Sequence, residues 1–305
     1  MKVHVEKIAS LSGHRDCVYT LEGTDKPNIF FSAGGDGMVV KWDLTTPDIG
    51  KLVVTVPKSI YAICHVARYN HLVVGQNFEG IHIIDLESNK EIKSLKTENT
   101  SIFDLQFFED KLLVAFGNGL ISVLDYNSLE TKFKVKLSEK SARCISINKA
   151  CGEFAVGYSD NYIRVFDLKD FKLKYEFLAH ENSVFTVKYS SDSKFLFSGS
   201  RDARLKKWDV FNGYSLENSV VAHMYAINNL SLSPDFSHFV TCSMDKTIKL
   251  WNEEEMKLLK VIDKARHAGH GTSVNKLLWT SYENQLISCS DDKMLAVWKI
   301  EFRES

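Results

Sequence analysis

Serine, histidine and aspartate recur together in this chain. A hydroxyl, an imidazole and a carboxylate hydrogen-bonded in series can run nucleophilic acyl transfer. Four sets have matching spacing: His14, Ser32 and Asp36; His180, Ser198 and Asp202; His223, Thr241 and Asp245; His270, Ser288 and Asp292. Six residues after each Asp stands a tryptophan, Trp42, Trp208, Trp251 or Trp298. An active site is built once, whereas this set is built four times in one register, so no catalytic residue is assigned and the chain reads as a non-enzyme. His267 and His270 form an H-x-x-H, but a pair without a third ligand is a weak metal site and His270 already belongs to a set. No metal is expected. The glycines offer neither G-x-G-x-x-G nor G-x-x-x-x-G-K-[ST], and Gly117-Asn118-Gly119 reads as a tight hairpin turn, so no cofactor is expected either. The six cysteines, Cys17, Cys64, Cys144, Cys151, Cys242 and Cys289, form no C-x-x-C pair and read as reduced thiols. Cys242 and Cys289 occupy one place in neighbouring units, as buried small residues of a second strand would.

Residues that recur need elements that recur. Short segments of alternating polarity end on a large apolar residue, usually followed by an acid: VVKWDL, IHIIDL, ISVLDY, IRVFDL, LKKWDV, IKLWNE and LAVWKI. Their anchors, Trp42, Ile84, Leu124, Phe166, Trp208, Trp251 and Trp298, are separated by 42, 40, 42, 42, 43 and 47 residues. That period fits four short strands per unit better than the helical repeats of roughly 33–34 residues. Alternation within each segment argues for strands. A second signal runs in phase: Gly13-His14, Ala179-His180, Ala222-His223 and Gly269-His270 each precede a β-branched residue by four, at Val18, Val184, Ile227 and Val274. The longer last spacing places an extended loop, KARHAGHG, before unit seven, either a plain insertion or a partner contact.

Composition narrows the partners. The 305 residues carry 38 Lys+Arg against 39 Asp+Glu, a formal charge of −1, with 44% hydrophobic and 25% charged residues. A chain without net positive charge lacks the attraction that dominates nucleic-acid binding. The basic clusters at 132–136 and 201–207 read as solvated strand faces. Neither a signal-like apolar run nor a stretch near 18 apolar residues is present, so no membrane partner is expected. Cysteine usage points to the cytoplasm, or to the nucleus if the source is eukaryotic.

The units resemble the WD-repeat family: GH…SAGGDGMVVKWD in unit one, AH…SGSRDARLKKWD in unit five, AH…TCSMDKTIKLWN in unit six and GH…SCSDDKMLAVWK in unit seven. The resemblance covers essentially the whole chain. It implies an all-β fold, residues 1–305 as a single propeller of seven four-stranded antiparallel blades, with the N-terminal strand over residues 2–11 closing the last blade. It also gives Trp, Ser/Thr, His and Asp a structural role, a hydrogen-bonded chain tying a blade's inner strands to its entering loop. Units two to four lack the His and Trp; at the Asp position they have Phe78, Asn118 and Asp160. Apolar packing alone is expected to hold them, making them the softer part.

One further position varies informatively. After the β-branched or equivalent residue, the seven units carry Tyr19, Tyr61, Phe103, Arg143, Phe185, Asn228 and Asn275. The apolar spacing of three, as in Val18 and Leu21, breaks strict alternation and predicts a bulge at the start of the inner strand. The resemblance places these residues, with Gly35, Arg201, Met244 and Asp291 just before the tetrad Asp, on a face that docks partners. Aromatics and arginines are enriched at interface centres, while the alternative is filler between blades. The expected function is a protein–protein interaction scaffold, a monomeric propeller within a larger complex that presents a face to a protein or peptide. The runner-up is a reader of a basic or modified peptide by cation–π contact at the channel mouth.

Overall fold

Val, Ile, Phe and Leu alternate with polar residues along segments of five to seven residues, and Gly, Asn and Asp punctuate them, so the chain forms hairpin after hairpin. The computed structural model describes residues 2–303. Among these residues 28 strands pair into seven four-stranded antiparallel sheets. Blade one comprises Val18–Gly23, Ile29–Gly34, Met38–Asp43 and Lys51–Thr55, from the inner strand outward. Blades two to six repeat that order, with inner strands Ile60–Val66, Ile102–Phe108, Ala142–Asn148, Val184–Tyr189 and Ile227–Leu232.

Blade seven takes three strands from the end of the chain, Val274–Trp279, Gln285–Ser290 and Leu295–Arg303, and its fourth from the beginning, Lys2–Leu11. That strand runs antiparallel to Leu295–Arg303 from Lys2↔Arg303 to Leu11↔Leu295, with a bulge between Lys7 and Ala9. The propeller is thereby closed, as the repeat implied.

All seven anchors fall in third strands, each opposite an apolar residue of the second: Phe30↔Trp42, Leu72↔Ile84, Leu112↔Leu124, Phe154↔Phe166, Leu196↔Trp208, Phe239↔Trp251 and Leu286↔Trp298. The core lies between blades, where the second and third strands of one sheet pack against those of the next; Leu113, Ile121 and Phe154 belong to one such cluster. Cys242 and Cys289 are fully buried in second strands. Gly119 closes the hairpin after Lys111–Phe116 at φ +83°, where a Cβ would sit 2.0 Å from the Ser138 carbonyl. The extended loop before blade seven folds into one helical turn, Lys264–His267, capped by Asp263. No helix among the described residues is long and apolar enough to cross a membrane.

Two expectations change. Lys207, in the basic cluster 201–207, is buried rather than solvated: its stem lies on Phe195, with Nζ 3.8 Å from the ring centroid, and Nζ donates to the Glu254 carbonyl. Lys132, Lys134 and Lys136 do lie on an exposed outer strand. Blades two and four, expected to be purely apolar, have polar locks of their own. In blade two His82 bridges Gln76 and Glu91, at 2.9 and 2.7 Å. In blade four the buried Arg164 lies 2.8 Å from Asp160 and 2.5 Å from Glu176, and stacks on Tyr158.

Candidate functional site

The four His–Ser/Thr–Asp–Trp sets come together as hydrogen-bonded chains. In blade five, Trp208 Nε1 donates to Ser198 Oγ at 2.8 Å, His180 Nε2 meets the same hydroxyl at 2.8 Å, and His180 Nδ1 meets Asp202 at 2.9 Å. Trp42, Ser32, His14 and Asp36 repeat the arrangement, as do Trp251, Thr241, His223 and Asp245, and Trp298, Ser288, His270 and Asp292. The indole N–H occupies one lone pair of the hydroxyl, so the hydroxyl can donate to Nε2 of a neutral imidazole whose Nδ1–H donates to Asp. Burial lowers the pKa of His14, His180 and His223 against the opposing pull of their aspartates, which agrees with that neutral form. Ser198 and Thr241 are sealed and already bonded, so no hydroxyl is presented to a substrate. Among the described residues no three His, Cys, Asp or Glu converge on a point, and His267 lies on the helical turn beside Asp263.

The bulge predicted from the apolar spacing is present in all seven blades. The register slips between Val18 and Thr20, Ile60 and Ala62, Ile102 and Asp104, Ala142 and Cys144, Val184 and Thr186, Ile227 and Asn229, and Val274 and Lys276. The skipped residues are Tyr19, Tyr61, Phe103, Arg143, Phe185, Asn228 and Asn275. All seven line one central cavity of about 710 Å³. A bulge inserts one residue and turns it out of the pleat, which brings side chains some forty residues apart in sequence to one mouth.

A backbone hydrogen bond fixes each bulge beside its neighbouring hairpin. The amides of Gly35, Arg201, Met244 and Asp291 donate to the carbonyls of Cys17, Ser183, Ala226 and Ser273, at 2.8 to 3.1 Å. Those four residues therefore stand on the same face as the bulged ones. Arg201 and Met244 are exposed, while Asp291 accepts from Asn275 Nδ2 at 2.8 Å.

The bulged side chains touch in sequence around the mouth. Tyr19 meets Tyr61 edge-on at 4.9 Å between centroids, and Tyr61 stacks on Phe103 at 5.6 Å. The Arg143 guanidinium lies 4.0 Å from the Phe103 centroid and 4.6 Å from that of Phe185. Asn228 donates to the Val274 carbonyl of blade seven, and Asn275 to the Val18 carbonyl of blade one. The rings contact one another between blades, as filler would, and every one of the seven is half-buried.

Sequence reasoning missed the layer beneath. Glu22, Asp104, Lys188 and Lys276 project into the same cavity from the inner strands of blades one, three, five and seven. Glu22 accepts from the His65 amide at 2.9 Å, and Asp104 from the Ile145 amide at 2.7 Å, each joining its blade to the next. Enclosure by the blades pushes the Glu22 carboxyl up to about 7, raises Asp104 and lowers Lys188. The signal was available: these residues lie one or three places after the bulged position, where a strand resuming alternation points back into the channel.

A closed seven-bladed propeller, four of whose blades carry a Trp–Ser/Thr–His–Asp chain, defines a class of repeat protein. The matching family model is WD domain, G-beta repeat, over residues 5–43, 171–209, 215–252 and 261–299, about half of the chain. This chain belongs to the WD-repeat family. Among curated proteins it is similar to actin-interacting protein 1 of Caenorhabditis elegans, 23% identical over 303 residues, covering 95% of this chain and 48% of that protein. It is also similar to polyadenylation factor subunit 2 of Candida albicans, 30% identical over 135 residues, covering 43% of this chain and 24% of that protein. The chain thus spans about half or less of the length of these relatives. Among solved structures, the WD40 β-propeller domain of Doa1 superposes with a TM-score of 0.85 at 18% identity, covering 97% of each chain.

Proposed function

We propose that this propeller is a non-catalytic interaction scaffold that docks a protein or peptide at the mouth formed by its seven bulged residues. The observation carrying the reading is the convergence of Tyr19, Tyr61, Phe103, Arg143 and Phe185 on one cavity while all remain partly open. Rigid aromatic side chains give large contact area at small entropic cost, and interface centres are enriched in them. The relatives' names, an actin-interacting protein and a polyadenylation factor, point to different assemblies. The shared fold therefore supports the class of function and leaves the partner to the mouth. We infer a cytoplasmic location, or a nuclear one in a eukaryotic cell, on the strength of six unpaired thiols.

The test is affinity capture with quantitative mass spectrometry, comparing the wild-type chain with Tyr61→Ala, Phe103→Ala and Phe185→Ala. Removing a central aromatic costs an interface about 2 kcal/mol or more, so specific partners should fall roughly thirtyfold in affinity while the melting temperature moves little. Undiminished capture by all three variants would remove the mouth as the docking face. The alternative reading, a basic side chain entering the aromatic mouth, loses ground to Arg143, which already lies against Phe103 and Phe185.

A further inference from the structure

A guanidinium has two faces and an edge, and the two are used differently. At Arg143 the guanidinium carbon lies over two rings, 4.0 Å from the Phe103 centroid and 4.6 Å from that of Phe185. The N–H donors project in plane from the edge, in the fork that matches two oxygens at once. Among the described residues no acceptor takes them, although burial has removed part of the group's water and lowers its pKa. Nor are the donors sealed away, for none is among the buried unsatisfied atoms. The two carboxylates deeper in the cavity are engaged by backbone amides and face Lys188 and Lys276. Arg143 is left without a carboxylate partner at the mouth.

The surroundings give this cation a direction. Arg201, exposed on blade five, adds a second positive charge close enough to be felt by Arg143. Across the mouth, Asp291 and Asp16 flank blades seven and one, so an anion is drawn toward blades four and five and repelled from the opposite side. Next along the face, blade six exposes three large apolar residues: Met224, Tyr225 and Met244, at 81%, 62% and 51%. Two hydrogen bonds hold their loops together, Met244 N to Ala226 O and Ser243 Oγ to Tyr225 O. Clustered exposed apolar side chains mark contact sites, and methionine adapts to varied partners.

We propose that Arg143 receives an anionic side chain of a docked peptide, edge-on and bidentate, and that apolar residues of the same peptide lie on Met224, Tyr225 and Met244. This rests on the reading of the mouth as a docking site and specifies the partner's chemistry as acidic and apolar. Contact with the two rings restrains the fork and removes part of its water, which strengthens a charge-assisted pair. A basic peptide meets a positive edge and covered phenyl faces.

The experiment selects a phage-displayed library of random dodecapeptides on the immobilised full chain. The enriched peptide is then measured by fluorescence anisotropy against wild type, Arg143→Gln, Arg143→Lys, Met224→Ser, Tyr61→Ala and Phe185→Ala. The expected consensus has Asp or Glu at a fixed distance from an apolar residue. Arg143→Gln should weaken it at least tenfold, Arg143→Lys should restore only part because a point charge lacks the fork, and Met224→Ser should weaken it several-fold. A synthetic version with phosphoserine at the acidic position separates the two sources of anion; either ranking keeps the anion on Arg143. Peptides that need Tyr61 and Phe185 yet carry no acid, or ignore Arg143→Gln, overturn the anion site and leave mouth docking intact. Enrichment of no peptide, or of peptides indifferent to every mouth variant, overturns both.

Discussion

Asp202 accepts three hydrogen bonds: from His180 Nδ1 at 2.9 Å, from the Glu181 amide at 3.0 Å and from the Arg204 amide at 2.8 Å. Its side chain is only 7% exposed, so Asp202→Ala leaves three donors with little water to turn to. Losing the partner of a buried polar group costs about 1–3 kcal/mol, and at this chain length each kcal/mol is worth about 2 °C. Calorimetry should therefore record a melting temperature several degrees lower, with Asp202→Asn in between because its one carbonyl oxygen can still accept; an unchanged value would show that the chain of bonds contributes nothing. The same residues set a pH dependence. Burial holds His180 and His223 below their ordinary 6.5, so below that pH the unfolded chain binds protons that the folded chain refuses, and stability falls as pH falls. Burial would raise Asp202, but the hydrogen bond and charge of His180 outweigh it and hold the carboxyl at about 2. That contribution is present above the usual 3.8 and fades as the pH drops toward 2, the same direction. Urea midpoints should be level above about pH 7 and decline below 6.5. Asp202→Ala removes the pull that holds His180 up, so its decline from 6.5 toward about 4 should be at least as deep as in wild type. The further fall from 3.8 toward about 2 should be smaller, and identical profiles would assign the decline to other groups.

Blades differ in what locks their third strand to the second, and the difference predicts where the propeller opens first. Blades one, five, six and seven have the tryptophan chain, blade two has His82 between Gln76 and Glu91, and blade four has Arg164. Blade three has Leu124 at the anchor, and the buried Ser122 hydroxyl in that strand finds no partner among the described residues. Local opening free energy follows such local interactions. Hydrogen exchange followed by mass spectrometry should thus show Leu120–Asp125 exchanging faster than Arg204–Asp209, its counterpart in blade five. Equal protection would mean that apolar packing alone sets the opening energy. The period and phase of the blades were legible in the sequence because each third strand needs a large apolar residue opposite its second-strand partner, whatever that residue is. The substitute locks were not, because His82 reaches Gln76 and Glu91 across two strand pairings, and Arg164 reaches Glu176 in the outer strand. Such contacts depend on which strands lie side by side, not on spacing along the chain. The mouth sits between these cases. Its bulge followed from an apolar spacing of three, whereas the contacts of Arg143 with Phe103 and Phe185 join three blades.

Closure makes the beginning of the chain part of the end. Lys2–Leu11 is the outer strand of blade seven; its Val5 is buried between that blade and blade six, and its Leu11 between that blade and blade one. Burying those two side chains is worth about 1.5–3 kcal/mol each, before counting the ladder they extend along Leu295–Arg303. The strand also solves an edge problem. Outer strands are rows of unpaired backbone groups that invite other chains, and charged residues and bulges discourage them. Lys2–Leu11 places the exposed Glu6 beside its bulge, Lys7 Nζ there donates to the Ala268 carbonyl at 2.9 Å, and the outer strand of blade three reads TKFKVK. Removing residues 2–11 would expose Leu295–Arg303, whose LAVWKI segment lacks acids and is a far better template for misassembly. It would also release the last blade from the first, so that a cooperative circle becomes an open row of blades. The truncated chain should melt at least 10 °C lower and elute partly as oligomers on size exclusion. Synthetic peptide KVHVEKIASL added in trans should restore both the monomer and much of the lost temperature, because the site it fills is otherwise intact. A truncated chain that stays monomeric and melts with the full-length protein would show that the propeller holds by packing between blades alone, with the shared sheet of blade seven dispensable.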